Sequence, residues 1–483
     1  MYYFRIKFLF FCILITLFNS CDVTKKNKNR EDTYFGGEIV NPNTNYVVLS
    51  KGDSYGDTIY LNKDNKFLYK VKGFKNGLYS FRHSPETQLI LLEKGDSTLI
   101  RLNTLEFDES LVFTGESARK NNFLIDVFLQ NEKERDLLEK GGFNISPDHF
   151  VRSQDSLFDK KLFDFNNLTK KYKLSDLTKK ICLASISYDF YARREMYAYR
   201  YQNFRMYKKE LNKELPTSFF NYRNSINFND DDLKRLYSYN RFLNHYFINT
   251  SFTNYSKKGL NTKDLIGNTI FKLNLIDSTI HHSYIKNNLL RGVTTNFILD
   301  HRNDYLSQKI LDHYLSISSH EKFQQELIKL AKATSRLKPK NIIPDQELIA
   351  SDGENLYLST LFEKPFTALY FWSTERKDHY VKAHKKASYL SKRYPEIEFI
   401  AINTDDNQSE NWIKTIKRNK YNLNREYEFK FPKCSSEELV LQYRNKVILI
   451  NKDGEIITPN ADLFSPAFER QLRIYNQMIE KKN

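Results

Sequence analysis

Residues 366–379 read Phe-Thr-Ala-Leu-Tyr-Phe-Trp-Ser-Thr-Glu-Arg-Lys-Asp-His, and they decide the fold. The first seven are a short, continuous apolar run, which predicts a buried central strand. The next seven are polar, and behind them Ala383, Ala387, Leu390 and Tyr394 share one helical face up to Pro395. Glu398 to Asn403 (EFIAIN) predicts the next strand, and Trp412, Ile413 and Ile416 a second helix. Ser435 with Glu438 reads as a capping box ahead of Leu439 and Tyr443. Val447 to Ile450 is a third strand, and Lys452-Asp453-Gly454 turns into Glu455-Ile456-Ile457. Ser465 followed by Pro466 opens a last helix, with Phe468, Leu472, Tyr475 and Ile479 as its apolar stripe.

The order strand, helix, strand, helix, hairpin, helix resembles a thioredoxin-like fold. Phe371 to Thr374 (FWST) and Val447 to Ile457 (VILINKDGEII) carry the resemblance, with Pro344-Asp345, Asp352-Gly353, Leu358 and Leu361 as its lead-in. With the strand-rich region upstream, the layout is similar to that of TlpA-like envelope lipoproteins. The resemblance implies a Cys-x-x-Cys at 376 and 379 and a cis-proline at 445. This chain has Arg376, His379 and Asn445 there. Disulfide exchange needs a thiolate nucleophile, which neither Arg nor His supplies. A cis bond before a non-proline residue costs about 2.5–4 kcal/mol, so a trans bond is expected before Asn445. Cys434 is read as a loop residue between Pro432 and a helix, where Lys433 and the helix N-terminus would favour a reactive thiolate.

Upstream, residues 34–118 alternate in short runs typical of a small β-sandwich. Runs at Thr58–Leu61 and Phe67–Val71 flank Asn62 to Lys66, and those at Leu89–Leu92 and Thr98–Leu102 flank Lys94-Gly95-Asp96. Each pair reads as a hairpin. Gly77-Leu78-Tyr79, Gly95-Asp96 and Gly115-Glu116-Ser117 leading to Asn121-Asn122-Phe123 resemble the β-domain that precedes thioredoxin-like modules in such lipoproteins.

Residues 119–335 turn to helical spacing. Asp230-Asp231-Asp232 opens an expected helix carrying Leu233, Leu236, Leu243 and Phe247, and Ser318 with Glu321 forms a second expected capping box. Tyr188 to Tyr207 (YDFYARREMYAYRYQNFRMY) reads as a helix with aromatics on the core side and arginines outside, in preference to a ligand-gripping face. The expected domains are thus 34–118, 119–335 and 336–483, and the fold class is multidomain α+β and α/β.

At the N-terminus, Arg5 and Lys7 precede an 11-residue apolar core, Phe8 to Phe18. That is too short to span a bilayer comfortably and suits a signal peptide. Asn19-Ser20-Cys21 then resembles a lipoprotein cleavage site, with residues 1–20 removed and Cys21 lipidated. Buried acyl carbons contribute about 0.8 kcal/mol per CH₂, so several chains anchor durably. Residues 21–33, polar and rich in Lys and Asn, read as a tether. The expected location is the cell envelope, facing the periplasm or the cell surface.

The net charge of +16, from 75 Lys and Arg against 59 Asp and Glu, is spread along the chain without a basic block, zinc-finger spacing or RNA-recognition signature. Nucleic acid is therefore not an expected partner. Besides Cys12 and Cys21, only Cys182 and Cys434 remain, too few for a disulfide scaffold. A Cys182–Cys434 bridge is open to a geometric test. His281, His282, His301, His313 and His320 lack metal-ligand spacing, and no metal or cofactor is implied.

Two functions follow. One is a lipid-anchored binding or scaffolding protein with a degenerate redox loop and an envelope protein as partner. The other is a divergent thiol-disulfide oxidoreductase using Cys434. A hydrolase built on Arg376, Asp378 and His379 is disfavoured, because residues one apart on a helix do not face each other.

Overall fold

The computed structural model describes residues 32–480, apart from 53–55, 116, 208–214, 262, 302, 407 and 408. The leader, Cys12, Cys21, most of the tether and Glu116 lie outside the described residues. So do the side chains of 203–207. The chain divides into two compact units. One holds the residues up to Phe81 with Gln88–Asn122, and the other holds Arg82–Thr87 with Phe123–Asn483.

The first unit is a two-sheet β-sandwich. Its strands are β1 (Tyr34–Val40), β2 (Tyr46–Ser50), β3 (Asp57–Tyr60), β4 (Lys66–Lys70), β5 (Gly77–His83), β6 (Glu86–Leu92), β7 (Ser97–Asn103) and β8 (Val112–Gly115). They form two four-stranded sheets, β4-β1-β7-β8 and β3-β2-β5-β6. Phe35 of β1 meets Phe81 of β5 across the sandwich at 5.5 Å between ring centroids.

Both expected hairpins are corrected. β3 and β4 lie in different sheets, as do β6 and β7, so Asn62–Lys66 and Lys94-Gly95-Asp96 are corners that switch sheet. Turn chemistry fixes where the chain reverses. Which strand it then pairs with depends on where the apolar faces are covered. At Gly115 (φ 95°) a Cβ would lie 2.3 Å from the Ser97 carbonyl oxygen, which accounts for the glycine. The two asparagines that follow act as strand mimics. Asn121 accepts from Leu91 N at 2.8 Å and donates to Leu91 O at 3.1 Å. Asn122 does the same for Phe113, at 2.8 and 2.9 Å. Each satisfies the backbone of an edge strand.

The second unit begins with eight long helices: α1 (Ala118–Leu137), α2 (Pro147–Lys171), α3 (Asp176–Tyr207), α4 (Tyr237–Lys257), α5 (Leu265–Thr279), α6 (Ser283–Asp300), α7 (Asp304–Ile317) and α8 (Glu321–Arg336). Two predicted starts move. The helix with Leu243 and Phe247 begins at Tyr237, after the acidic triplet. Those acids are engaged elsewhere: Asp230 and Asp232 hold Lys180 at 2.8 and 2.7 Å, and Asp231 pairs with Lys234. Helix α8 is capped by His320, whose ring accepts from Phe323 N, while Ser318 donates to Asn287.

The aromatics of α3 are core, as Tyr188 stacks edge-on against Tyr239 of α4 at 4.8 Å. Its arginines are not all outside. Arg193 is 2% exposed and ion-pairs with Asp189 and Glu134. Charge burial of this kind leaves no periodic signature, since a paired Arg and a solvated Arg look alike in sequence.

The sheet of this unit has seven strands, β9 (Glu347–Ala350), β10 (Asn355–Tyr357), β11 (Phe366–Trp372), β12 (Ile397–Asn403), β13 (Glu426–Phe429), β14 (Lys446–Asn451) and β15 (Ile456–Asp462), ordered β10-β9-β13-β12-β11-β14-β15. Helices α9 (Lys377–Arg393), α10 (Ser409–Arg418), α11 (Pro432–Glu438) and α12 (Pro466–Glu480) complete it. β11 is central, parallel to β12 and antiparallel to β14. Its side chains alternate as a pleat requires. Ala368, Tyr370 and Trp372 pack with Tyr380, Leu390, Trp412, Phe468 and Leu472 from α9, α10 and α12. Leu369 and Phe371 pack with Leu439 and Val440 and with Ala333 and Leu337 from the α8 end. The last helix of the helical region therefore shares a core with the sheet.

Ser435 and Glu438 are not a capping box. Helix α11 starts earlier, with Pro432 in its first turn, and Glu438 is its last residue. Proline's fixed φ suits that first position and sets the start. Val440 then takes φ 51°, a left-handed conformation unusual for a β-branched residue. Lys446, 4% exposed, donates to the Leu439 and Val440 carbonyls at 2.7 and 3.1 Å and holds this end in place.

Candidate functional site

In an open α/β sheet, the crevice at the carboxyl ends of the strands opens where the strand order reverses. Here β12 and β13 lie to one side of β11, and β14 to the other. The crevice therefore falls at Trp372 and the loop Ser373–Arg376. That loop is pinned. Thr374 donates to Asp405 Oδ2 from its backbone N at 2.7 Å and from its hydroxyl at 2.6 Å, and Asn403 donates to the same oxygen at 3.1 Å. Ser84, in the short segment counted with this unit, donates its hydroxyl to Glu375.

Arg376 and His379 sit at this end. Arg376 is the N-cap residue of α9 and makes no side-chain cap. His379, on the first turn, is 8% exposed. Its ring bonds the Arg444 backbone, and its Nε2 has no hydrogen-bond partner. Burial, reinforced by Arg444, Arg376 and His384, lowers its pKa to about 4, so it is neutral at pH 7. Asn445 is next to Arg444. The bond before it is trans, its side chain donates to Asp462 at 3.2 Å, and its carbonyl accepts from Leu463 N at 2.9 Å. Arg376, His379 and the Arg444–Asn445 segment thus lie near one another.

Behind them lies a buried polar cluster that sequence reading missed. His384 Nδ1 contacts the Tyr380 carbonyl oxygen at 2.7 Å, and Nε2 contacts Glu426 Oε1 at 2.9 Å. A carbonyl oxygen only accepts, so Nδ1 carries a hydrogen. His384 Nε2 and Glu426 consequently share one proton. Burial raises the Glu426 pKa, with His384 and Trp372 working against it. Tyr421 stacks on the His384 ring at 3.7 Å. Glu428, on the same face of β13, is pushed up by burial as well. Trp372 Nε1, Trp412 Nε1, Glu426 Oε2 and Glu428 Oε2 are buried without a hydrogen bond of normal geometry. Two signals were available: Glu at alternate positions of a strand, and a histidine on the apolar face of α9 between Tyr380 and Ala387.

The two remaining thiols are elsewhere. Cys182 is fully buried in α3 with Val127, Phe165 and Ile186. Cys434 is exposed, in the first turn of α11 and not in a loop. Both are free. Among the described residues, no group of three His, Cys, Asp or Glu side chains is placed to hold a metal ion. None of the helices described is long and apolar enough to cross a membrane.

Residues 365–456 match a protein family described as thioredoxin-like, and the C-terminal domain is thioredoxin-like. Solved structures similar to this chain include a thioredoxin-like protein from Bacteroides caccae, at 13% identity over 59% of this chain and 93% of that one, with a TM-score of 0.32. Another is the thioredoxin domain of a thiol-disulfide oxidoreductase from Bacteroides vulgatus, at 15% identity over 29% of this chain and 97% of its own, with a TM-score of 0.25. A thiol-disulfide oxidoreductase from Bacteroides fragilis shares 19% identity over 28% and 99%, with a TM-score of 0.24. No curated protein matches.

Proposed function

We propose that this chain is a lipid-anchored envelope protein whose thioredoxin-like domain binds or scaffolds a protein partner and does not exchange disulfides. One observation carries the reading. The strand–helix junction where exchange would occur holds Arg376 and His379, and no sulfur lies between Ser373 and His379. A guanidinium and a neutral imidazole can hold a polar group but cannot form a mixed disulfide. The anchor would be Cys21, with residues 22–33 as tether, and the Cys21→Ser chain should leave the membrane fraction.

The competing reading uses Cys434 as a lone nucleophile, favoured by its exposure on a helix first turn. A disulfide-reductase assay on a model disulfide separates the two. The expected result is no turnover above the uncatalysed rate. Turnover that disappears in Cys434→Ser would overturn the binding reading.

A further inference from the structure

The helical region holds a charged cluster whose charges do not balance. Lys161 of α2 contacts Glu134 of α1 at 2.5 Å, and Arg193 of α3 contacts the same carboxylate at 2.6 Å. Arg193 also reaches Asp189 at 2.5 Å. Asp189 Oδ1 then accepts from two further guanidiniums, Arg135 of α1 at 3.0 Å and Arg241 of α4 at 3.2 Å. Among the described residues, four cations face two carboxylates, an excess of two. Neighbouring acids do not relieve it, because Asp155, Glu139 and Glu195 each pair with an arginine of their own, Arg194, Arg200 and Arg223. His245, also close, is held neutral by burial and by Arg241 and Arg200, with its pKa lowered to about 4.

The excess lies in a dry place. The side chains of Lys161, Arg193 and Asp189 are 5%, 3% and 1% exposed. Those of Arg135 and Arg241, at 15% and 12%, form the rim beside Tyr237, whose ring Arg135 overlies. Unbalanced charge in such surroundings is costly, and a counter-charge recovers that cost. Because Asp189 Oδ1 binds both rim guanidiniums, their heads are held side by side. Beyond it, among the described residues, Arg241 reaches Met196 Sδ and Arg135 lies over the Tyr237 ring, and neither contact brings a negative charge. Two guanidiniums side by side suit a phosphate-type group, which accepts from both forks. Deeper in, Arg193 Nε is buried with no partner.

We propose that Arg135 and Arg241, mounted on Asp189, bind a small dianionic oxyanion, a phosphate or phosphate monoester. The charge count selects the class: a dianion cancels the excess of two, whereas a phosphodiester leaves one charge uncompensated. This site is separate from the crevice at β11 and goes beyond the reading given for it.

Calorimetric titration of the full chain in detergent with inorganic phosphate, against sodium chloride at matched ionic strength, tests this. Saturable binding to phosphate alone is expected, at least tenfold weaker in Arg135→Gln/Arg241→Gln. Arg135→Gln alone, at the rim, should weaken it severalfold if the double variant does not fold. Glycerol 1-phosphate should bind as phosphate does, and glycerophosphocholine at least tenfold more weakly. Equal responses to phosphate and chloride, or phosphate affinity unchanged in the arginine variants, would overturn the site. A diester binding as well as a monoester would overturn the charge matching.

Discussion

Two polar clusters in the second unit are buried alike and finished differently. Around Glu195, which is fully buried, Arg223 donates at 2.8 and 2.5 Å, Tyr222 at 2.7 Å and Asn249 at 2.6 Å, so both carboxylate oxygens are satisfied. At the end of β11, Trp372 Nε1, His379 Nε2, Glu426 Oε2 and Glu428 Oε2 are buried without a hydrogen bond of normal geometry, although Trp372 faces Glu426 and Ser409 faces Glu428. A closed network fixes helices and has no valence left over. An open one at a sheet crevice is where water or a ligand completes the bonding. The difference marks one cluster as architecture and the other as a site.

Breaking the closed cluster should show the largest effect. Glu195→Leu leaves the Arg223 guanidinium, Tyr222 and Asn249 without their acceptor, and should cost about 3–5 kcal/mol in urea unfolding. Glu428→Gln at the open cluster should cost under about 1 kcal/mol, because it replaces a carboxyl already disfavoured in its charged form. A Glu428→Gln loss as large as that of Glu195→Leu would erase the distinction.

His379 sharpens it through pH. An unfolded imidazole takes its proton near pH 6.5, and the folded one only near 4. The unfolded state therefore binds more protons in that window, and stability falls as pH drops through it. The loss is on the order of 2 kcal/mol. His245 adds a loss of the same sign. Unfolding midpoints at pH 7.5 and 4.5 should converge partly in His379→Gln. An unchanged gap would show that His379 is not held neutral.

The smallest effect concerns Lys446, a buried cation whose bonds are closed by carbonyls. Val440→Gly relieves about 1–2 kcal/mol of left-handed strain but removes a buried side chain worth about 1.5–3 kcal/mol, so a thermal melt should show a net loss of about 0.5–1 kcal/mol. A gain would mean that the backbone strain at Val440 outweighs the packing of its side chain.

The C-terminal strands and their two faces were legible because each strand and the helix after it are neighbours in sequence, and FTALYFW and EFIAIN carry their own pattern. Arg376, His379 and Asn445 were legible as the residues standing where the resemblance implied two cysteines and a proline. His384, Glu426 and Arg444 were not, since His384 is brought to Glu426, and Arg444 to His379, only when the sheet closes. The sandwich turns were located correctly and paired wrongly for the same reason.

By itself, the sequence determined that a strand, a loop without sulfur and a helix follow one another from Phe366 to Arg393, because local periodicity and residue chemistry are written along the chain. Tertiary structure alone decided which charges are satisfied and which are stranded. Desolvation and partner count belong to positions in space, and no spacing along the chain encodes them.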